Sequence, residues 1–176
     1  MLPFAVNREW ALAHVCPPVL VANPFGVRYV IVSHPNFLAA ANTLRNHKQL
    51  QGISTLVVST QTISGGPAFA TATQIRNWIA NYYNTHVIKP KWLALMGDAE
   101  YVPTHYDLIN TWDSARNASD IWYGQFNGGP TTIPVFGIGR YPVDTLAQAN
   151  TMVSKVMAFE TSPPPSSFLG NDFYSP

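Results

Sequence analysis

Acidic residues stand in two short runs about twenty positions apart. Asp98 and Glu100 belong to residues 96–103, which close an apolar, strand-like stretch, and Asp120 belongs to the run that opens the next such stretch. In an open parallel sheet, ligands bind beyond the carboxyl ends of the strands, which is where both runs would fall. Residues 101–126 between and around them are rich in aromatics, so we expect the functional surface there.

The first run has two interpretations. Asp98 and Glu100 could share a hard cation such as calcium, which takes several oxygen ligands from flexible loops. Asp98 could instead cap a turn through its own backbone, as aspartate side chains in turns do. Two acids close in sequence are weak evidence for a metal, so both interpretations stay open.

The second run places an acid beside aromatics. Asp120 precedes Trp122 and Tyr123, and a carboxylate in such a setting could form the floor of a pocket for a cationic side chain. The alternatives are an ion pair with Arg140 or a turn that Asp120 makes with its own backbone.

A thiol and an imidazole also occur close together, at Cys16 and His14. Nucleophilic catalysis needs the two groups within hydrogen-bond reach and a lowered thiol pKa, and this stretch does not follow a predicted strand. We therefore expect no catalytic dyad here. Cys16 is the only cysteine, which excludes an internal disulfide and any zinc site built from cysteines.

The composition excludes several classes of partner. The chain has 176 residues and a formal net charge of +1, and only 11% of its residues are charged, so no nucleic-acid partner is indicated. No run of about 18 apolar residues exists, which predicts no membrane span. Residues 1–10 lack the basic-then-apolar pattern of a signal peptide.

Apolar strands alternate with amphipathic helices in the first two thirds of the chain. The pattern predicts strands over 27–32, 53–58 and 92–96, with a helix that Ser33 caps and Gly52 ends, and a second helix over 68–84. Residues 60–66 are predicted to be a polar loop. The alternation favours an α/β fold, with a mainly parallel sheet covered by helices on both faces.

The remainder is less regular. Residues 121–126 and 133–138 flank a turn signal, and they could pair as a hairpin or supply one further strand. A capping box at Thr145–Gln148 predicts a helix that three prolines at 163–165 end. We divide the chain into a lead-in segment (1–26), an α/β subdomain (27–165) and the start of a truncated following element (166–176).

Taken in order, five motifs resemble the gingipain-type cysteine peptidases, the C25 family with a caspase-like fold. The motifs are YVIVSHP (29–35), GDAEYVP (97–103), SDIWYG (119–124), GRYP (139–142) and the helix end FET (159–161). The resemblance covers residues 27–161, and residues 1–26 show no match. It implies a caspase-like subdomain and a cysteine endopeptidase as the parent protein.

The resemblance also implies where the chemistry is. In that family the nucleophilic cysteine and its histidine come from the second half of the catalytic region, in His-Gly and Ala-Cys-like settings. This chain has no His-Gly pair and no cysteine after residue 16, so it resembles the first half only, which we expect to be inactive alone. Asp120 corresponds to the carboxylate that the family's first half lends to the substrate pocket, with Trp122 and Tyr123 beside it.

Partners and location follow from the same resemblance. It implies a peptide or protein substrate, contact with the second half of the catalytic region, and a secreted or cell-surface protein. No cofactor is required, although calcium occurs around these loops in some members, for which Asp98 and Glu100 are the candidates.

Two other functions stay open from the residues alone. A non-catalytic α/β module could bind a protein or carbohydrate through the aromatic loop at 101–126. A small-ligand domain of flavodoxin-like topology is disfavoured, because residues 65–67 lack the features of a phosphate-binding loop.

Overall fold

The computed structural model describes residues 24–108, 116–126 and 133–162. Its strands are β1 (Tyr29–Ser33), β2 (Thr55–Ser59), β3 (Trp92–Met96), β4 (His105–Leu108), β5 (Arg116–Ser119) and β6 (Gly137–Tyr141). Its α-helices are α1 (Leu38–Leu50), α2 (Thr60–Ser64), α3 (Ala72–Thr85) and α4 (Leu146–Thr161). Two short 3₁₀ helices, Pro35–Phe37 and Ile121–Gly124, complete the elements.

Four strands form a parallel sheet in the order β2–β1–β3–β6. The register aligns the last residues of the strands, since Ser33 pairs with Ser59 and Met96, and Met96 pairs with Tyr141. The carboxyl ends of all four strands therefore meet at one edge, which we call the carboxyl edge. The α/β prediction with a mainly parallel sheet is confirmed. Strands β4 and β5 form a separate antiparallel pair.

Side chains of alternate strand residues fill two cores, one on each face of the sheet. On the α3 face, Val30, Val32 and Leu95 pack with residues of α3 and with Tyr123. On the α1/α4 face, Ile31 and Met96 belong to the core that residues of α1 and α4 complete. Strand β1 is buried at all five positions because it has strands on both sides and helices on both faces.

The first helical segment begins one residue later than predicted. Ser33 is the last residue of β1, and its hydroxyl donates to the carbonyl of His34. The capping residue is His34, whose Nδ1 accepts from the amide of Asn36 at 3.2 Å. The prediction of a Ser33 cap is therefore wrong, because a β-strand backbone continues through Ser33. The predicted ending is confirmed, since α1 stops at Leu50 and Gly52 has a φ of +79°.

The prediction of a polar loop over 60–66 is also wrong. Residues 60–64 form the short helix α2, because the hydroxyl of Ser59 accepts from the amide of Thr62 at 3.0 Å. Gly65, with a φ of +71°, ends the helix in the left-handed region.

The two segments predicted as strands after β5, residues 121–126 and 133–138, differ from the prediction. Residues 121–124 form a 3₁₀ helix, and the strand in the second segment starts only at Gly137. The hairpin interpretation is wrong, whereas the interpretation as one further strand of the main sheet is confirmed by β6. The turn signal at 127–130 lies outside the described residues.

Helix α4 begins as predicted. The Thr145 hydroxyl accepts from the amide of Gln148, and the Gln148 side chain accepts from the amide of Thr145. Most of the lead-in (1–23), the prolines at 163–165 and the segment 166–176 lie outside the described residues, so those predictions stay predictions. Within the part of the chain that the structure describes, no helix is both long enough and apolar enough to cross a membrane.

Candidate functional site

The chain folds back over the carboxyl edge directly after β3. Gly97 has a φ of +130°, and a Cβ atom there would lie 2.8 Å from the Cβ of Tyr101, so only glycine fits. Its amide donates to the carbonyl of Tyr141 at 3.0 Å, and the amide of Asp98 donates to that of Val143 at 3.2 Å. The loop after β3 is thus joined to the end of β6.

Asp98 caps the turn that follows it. Its Oδ1 accepts from the amide of Glu100 at 2.9 Å, which is the turn-capping interpretation of the first run. The carboxylate oxygens of Asp98, Glu100 and Asp144 lie within 4.8 Å of one another. Sequence reasoning missed Asp144, although it follows the end of β6, the strand next to β3.

The carboxylate oxygens of these three residues are ligands of the type that a hard cation prefers. Calcium is bound by carboxylate and carbonyl oxygens, six to eight in number, and Asp98, Glu100 and Asp144 would supply the carboxylates. Glu100 and Asp144 are exposed. Exposed acids at a loop are common without a metal, so the calcium prediction stays a prediction.

Asp120 is held by Arg140 in a bidentate ion pair. The Nε of Arg140 donates to Oδ2 of Asp120 at 2.7 Å, and its Nη2 donates to Oδ1 at 2.7 Å. The hydroxyl of Thr104 also donates to Oδ1, at 2.9 Å. Asp120 makes no capping bond to the 3₁₀ helix that it precedes, so the ion-pair interpretation of this residue is the one the structure shows.

The surroundings of Asp120 favour its charged form. Burial by itself raises the pKa of the carboxyl, but the hydrogen bonds and charge of Arg140 and the hydroxyl of Thr104 outweigh it. The pKa of Asp120 therefore lies below its ordinary value. The side chains of Asp120 and Arg140 are 28% and 15% exposed, so the pair is only partly open to solvent.

Arg140 also joins the two acidic runs. Its Nη1 donates to the carbonyls of Gly97 and Val102, both at 2.8 Å. One guanidinium therefore holds the loop after β3 through two carbonyls and holds the 119–124 segment through Asp120. We call these five bonds from Arg140 and Thr104 the Arg140 clip.

The two aromatics beside Asp120 are packed against their own chain. Tyr123 is fully buried, its hydroxyl donates to the carbonyl of Pro103, and burial raises its pKa. The ring of Trp122 stacks on His105, with centroids 4.0 Å apart and planes at 7°. The guanidinium of Arg76 lies 4.6 Å from the centroid of Trp122, and its Nε donates to the Trp122 carbonyl at 3.1 Å.

His34 is a buried group that sequence reasoning did not single out. It follows β1 at the carboxyl edge, is 5% exposed, and lies among the rings of Phe37, Phe69 and Tyr101. Burial lowers its pKa. Because Nδ1 accepts from an amide, the neutral ring carries its proton on Nε2.

The described residues include no cysteine, so the structure does not test the thiol and imidazole pair. Cys16 and His14 lie outside them, so the expectation that they form no dyad stays a prediction.

A cavity of about 550 Å³ lies on the α1/α4 face, beside β6. Its lining includes Tyr29, Trp92, Met152 and Val156. Gly139 of β6 also lines this cavity, and a Cβ added there would meet no atom within 4 Å.

Three solved structures share the fold over about three quarters of this chain. The first is dimeric latent PorU from Porphyromonas gingivalis, with 19% identity and a TM-score of 0.64 over 76% of this chain and 16% of that one. The second is the complex of RgpB pro- and mature domains from the same organism, with 21% identity and a TM-score of 0.63 over 75% of this chain and 29% of that one. The third is the Arg-specific cysteine proteinase gingipain R, with 20% identity and a TM-score of 0.62 over 77% of this chain and 29% of that one. The chain thus spans less than a third of the length of each. No curated protein matches it significantly.

The family is shown by a different comparison. The model of peptidase family C25 matches residues 22–171, which is most of the chain and includes all the described elements. The match confirms the resemblance on which the sequence analysis relied. The chain belongs to peptidase family C25.

Proposed function

We propose that this chain is the first half of the catalytic region of a cysteine endopeptidase. The match of the C25 model over residues 22–171 carries the proposal. The parent protein would cleave peptide bonds by acyl transfer to a thiolate, with a histidine as the proton carrier and an oxyanion site for the developing charge. The cysteine and histidine would come from a part of the parent outside this chain.

In this proposal the first half supplies the scaffold and part of the substrate pocket. The carboxyl edge is where an open parallel sheet binds ligands, and the Arg140 clip holds its two loops in fixed relative positions. Asp120 forms part of the pocket floor, with Trp122 and Tyr123 behind it. The substrate is a peptide or protein.

The location and the cation belong to the same proposal. The parent protein is secreted or displayed at the cell surface. It requires no cofactor for the chemistry, and any calcium ion would be held by Asp98, Glu100 and Asp144, where it would stiffen the loops at the carboxyl edge.

Peptidase assays on two proteins test the proposal. The full-length parent is expected to cleave a mixed peptide library in the presence of reductant and to lose activity after treatment with iodoacetamide. This chain alone is expected to cleave nothing. A parent with the substitution Cys16→Ala should retain its activity, which makes it the matched control for the loss of a thiol.

Two outcomes would contradict it. Cleavage by this chain alone that Cys16→Ala abolishes would place the nucleophile at Cys16. A full-length parent that is folded but cleaves nothing would favour the binding-module alternative. Within the described part of the 101–126 loop, the burial of Tyr123 and the stacking of Trp122 on His105 do not favour that alternative.

A further inference from the structure

We propose that the cavity on the α1/α4 face binds a small, flat, uncharged aromatic molecule between β6 and α4. The site lies on a face of the sheet and not among the loops at the carboxyl edge, so the proposal goes beyond the peptidase function. Its volume of about 550 Å³ lies within the range of about 300–1,000 Å³ that is typical of small-molecule sites. Strands β1, β3 and β6 line it on one side, and α1 and α4 line it on the other.

Two glycines of β6 leave a strip of backbone without side chains along the cavity. Gly137 and Gly139 alternate with Ile138, which packs against the core on the α3 face, so they face the α1/α4 side. Neither needs the conformational freedom of glycine, because neither has a positive φ. Packing does not require glycine either. A Cβ at Gly139 would meet no atom within 4 Å, and one at Gly137 would be in ordinary contact with Trp92 at 3.4 Å.

These glycines point to an occupant of the cavity. Glycine inside a strand weakens the strand, and it often marks a place where a ligand approaches the backbone closely. Here the missing side chains leave a gap between the β6 backbone and the side chains of Met152 and Val156 on α4. The indole ring of Trp92, which is 46% exposed, lies beside Gly137 and offers an aromatic contact. A planar ring fits this gap better than a bulky aliphatic group does.

The charges around the cavity are already balanced. Among the described residues that line it, only Lys48 and Arg140 are charged. Lys48 is paired with Glu160, and Arg140 is paired with Asp120. A charged ligand would enter a mainly apolar space without a counter-ion, and its desolvation would not be compensated. The ligand is therefore uncharged.

One polar position remains for such a ligand. The hydroxyls of Tyr29 and Tyr141, which both line the cavity, hydrogen-bond to each other. Two hydroxyls carry two protons, and their mutual bond uses one of them. The other proton can be donated to an oxygen of the ligand, so a phenol, an aryl ketone or an aryl ether suits the site.

The experiment measures binding of 2-naphthol to this chain by isothermal titration calorimetry. Its fused rings are flat and its hydroxyl can accept from tyrosine, so a dissociation constant of about 0.1 mM or below is expected. Decahydro-2-naphthol, which has the same skeleton without flat rings, and the anion 2-naphthoate should each bind at least about tenfold more weakly. In methyl NMR spectra, 2-naphthol should shift the signals of Met152 and Val156 but not those of Val102, which belongs to the core on the α3 face.

A cavity-filling variant tests the position of the ligand. Gly139→Val puts a branched side chain on the glycine strip and is expected to weaken 2-naphthol binding by at least about tenfold. Because its Cβ has free space and valine favours strands, the midpoint of urea unfolding should stay the same or rise. The matched control is Gly66→Val, at an exposed position where a Cβ also has free space, and it should not change binding. If Gly139→Val does not fold, Gly139→Ala takes its place, with an expected loss of about threefold.

Three outcomes would overturn the proposal. No binding of 2-naphthol to the folded chain would mean that the cavity is closed or filled by another part of the chain. Equal binding to wild type and to the variant at Gly139 would place the probe elsewhere. Equal or tighter binding of decahydro-2-naphthol or 2-naphthoate would contradict a flat, uncharged ligand. None of these outcomes bears on the proposed peptidase function, because no step of the experiment involves peptide cleavage.

Discussion

Two partly buried ion pairs hold this molecule together at different places and in different ways. The Arg140 clip joins loops at the carboxyl edge, whereas Glu160 near the end of α4 accepts from Lys48, His47 and Gln51 at the end of α1. Arg140 presents a planar fork to two carbonyls and a carboxylate. Glu160 instead accepts hydrogen bonds from flexible side chains, which lose more side-chain entropy per hydrogen bond than the planar guanidinium does.

The difference suggests what each pair does. The planar guanidinium of Arg140 makes four hydrogen bonds in fixed directions. It lies where the loop after β3 and the 119–124 segment must keep their relative position. The Glu160 carboxylate, which accepts from flexible donors, joins the ends of two helices and makes no bond to the Arg140 clip. We therefore expect the Arg140 clip to matter for both stability and substrate recognition, and the Glu160 cluster to matter for stability alone.

The largest effect is expected for Arg140→Met, which breaks the clip while keeping much of the side-chain volume. It leaves the Asp120 carboxylate partly buried without a counter-ion and two carbonyls without a donor. Loss of one partner costs about 3–5 kcal/mol in a fully buried pair, so about 2–3 kcal/mol is expected for this partly exposed one. Urea unfolding measures the loss, with Lys155→Met as the control, for which less than about 0.5 kcal/mol is expected. A loss below about 1 kcal/mol would mean that the clip is not what holds the loops.

Gly97→Ala is expected to have the next largest effect, because it strains the loop that the clip holds. The new Cβ would lie 2.8 Å from the Cβ of Tyr101, at a φ of +130°. Such strain costs about 1–3 kcal/mol. The matched control is Gly66→Ala, where a Cβ would meet no atom within 4 Å and no positive φ is required. Equal unfolding midpoints for the two variants would show that the loop relaxes freely.

The strands of the main sheet were the most predictable part of the molecule. β1 and β3 are short apolar runs, buried at five and at four of their five positions, as is typical of parallel strands, and the capping box of α4 is a local signal in the sequence. Helix α2 was missed because a five-residue helix has little periodicity, and its stability depends on a single cap at Ser59. The 3₁₀ helix after Asp120 was missed because Tyr123 is buried by tertiary contacts rather than by strand alternation.

The candidate site was less predictable than the fold. The sequence offered an ion pair with Arg140 as one of three interpretations of Asp120, and this pairing depends on the register of β6 against β3. Asp144 joins the acidic cluster for the same reason, since β6 ends beside β3. Residues far apart in sequence meet only once the strand order is known. Whether Asp120, Trp122 and Tyr123 bind substrate stays a prediction.

A smaller effect is expected for Glu160→Gln, which tests the second ion pair. Its partners are side chains at the end of α1. The side chains of this pair are about as exposed as those of Asp120 and Arg140, but glutamine keeps an oxygen that can accept from the same donors, so the loss should be about 1 kcal/mol. Added salt should reduce this loss and that of Arg140→Met to a similar degree, because the two pairs are similarly exposed. Peptide preference of the parent should be unaltered. A changed preference would contradict the division of roles between the two pairs.

The smallest effect is expected from the titration of His34, which lies at the same edge as the Arg140 clip but outside it. Burial lowers the pKa of His34 below the ordinary value of 6.5, so the unfolded chain binds a proton more readily than the folded one. The contribution of His34 to the free energy of unfolding is therefore fully present above pH 6.5 and decreases as the pH falls below it.

Protonation of His34 also removes the Nδ1 acceptor that caps Pro35–Phe37. Urea unfolding between pH 5 and 8 measures this slope, with His34→Asn, which keeps a capping acceptor but does not titrate, as the comparison. An equal slope in wild type and His34→Asn would show that His34 does not set the acid sensitivity in this range. The carboxylates of Asp120 and Glu160, whose pKa values lie below their ordinary range, contribute only at lower pH.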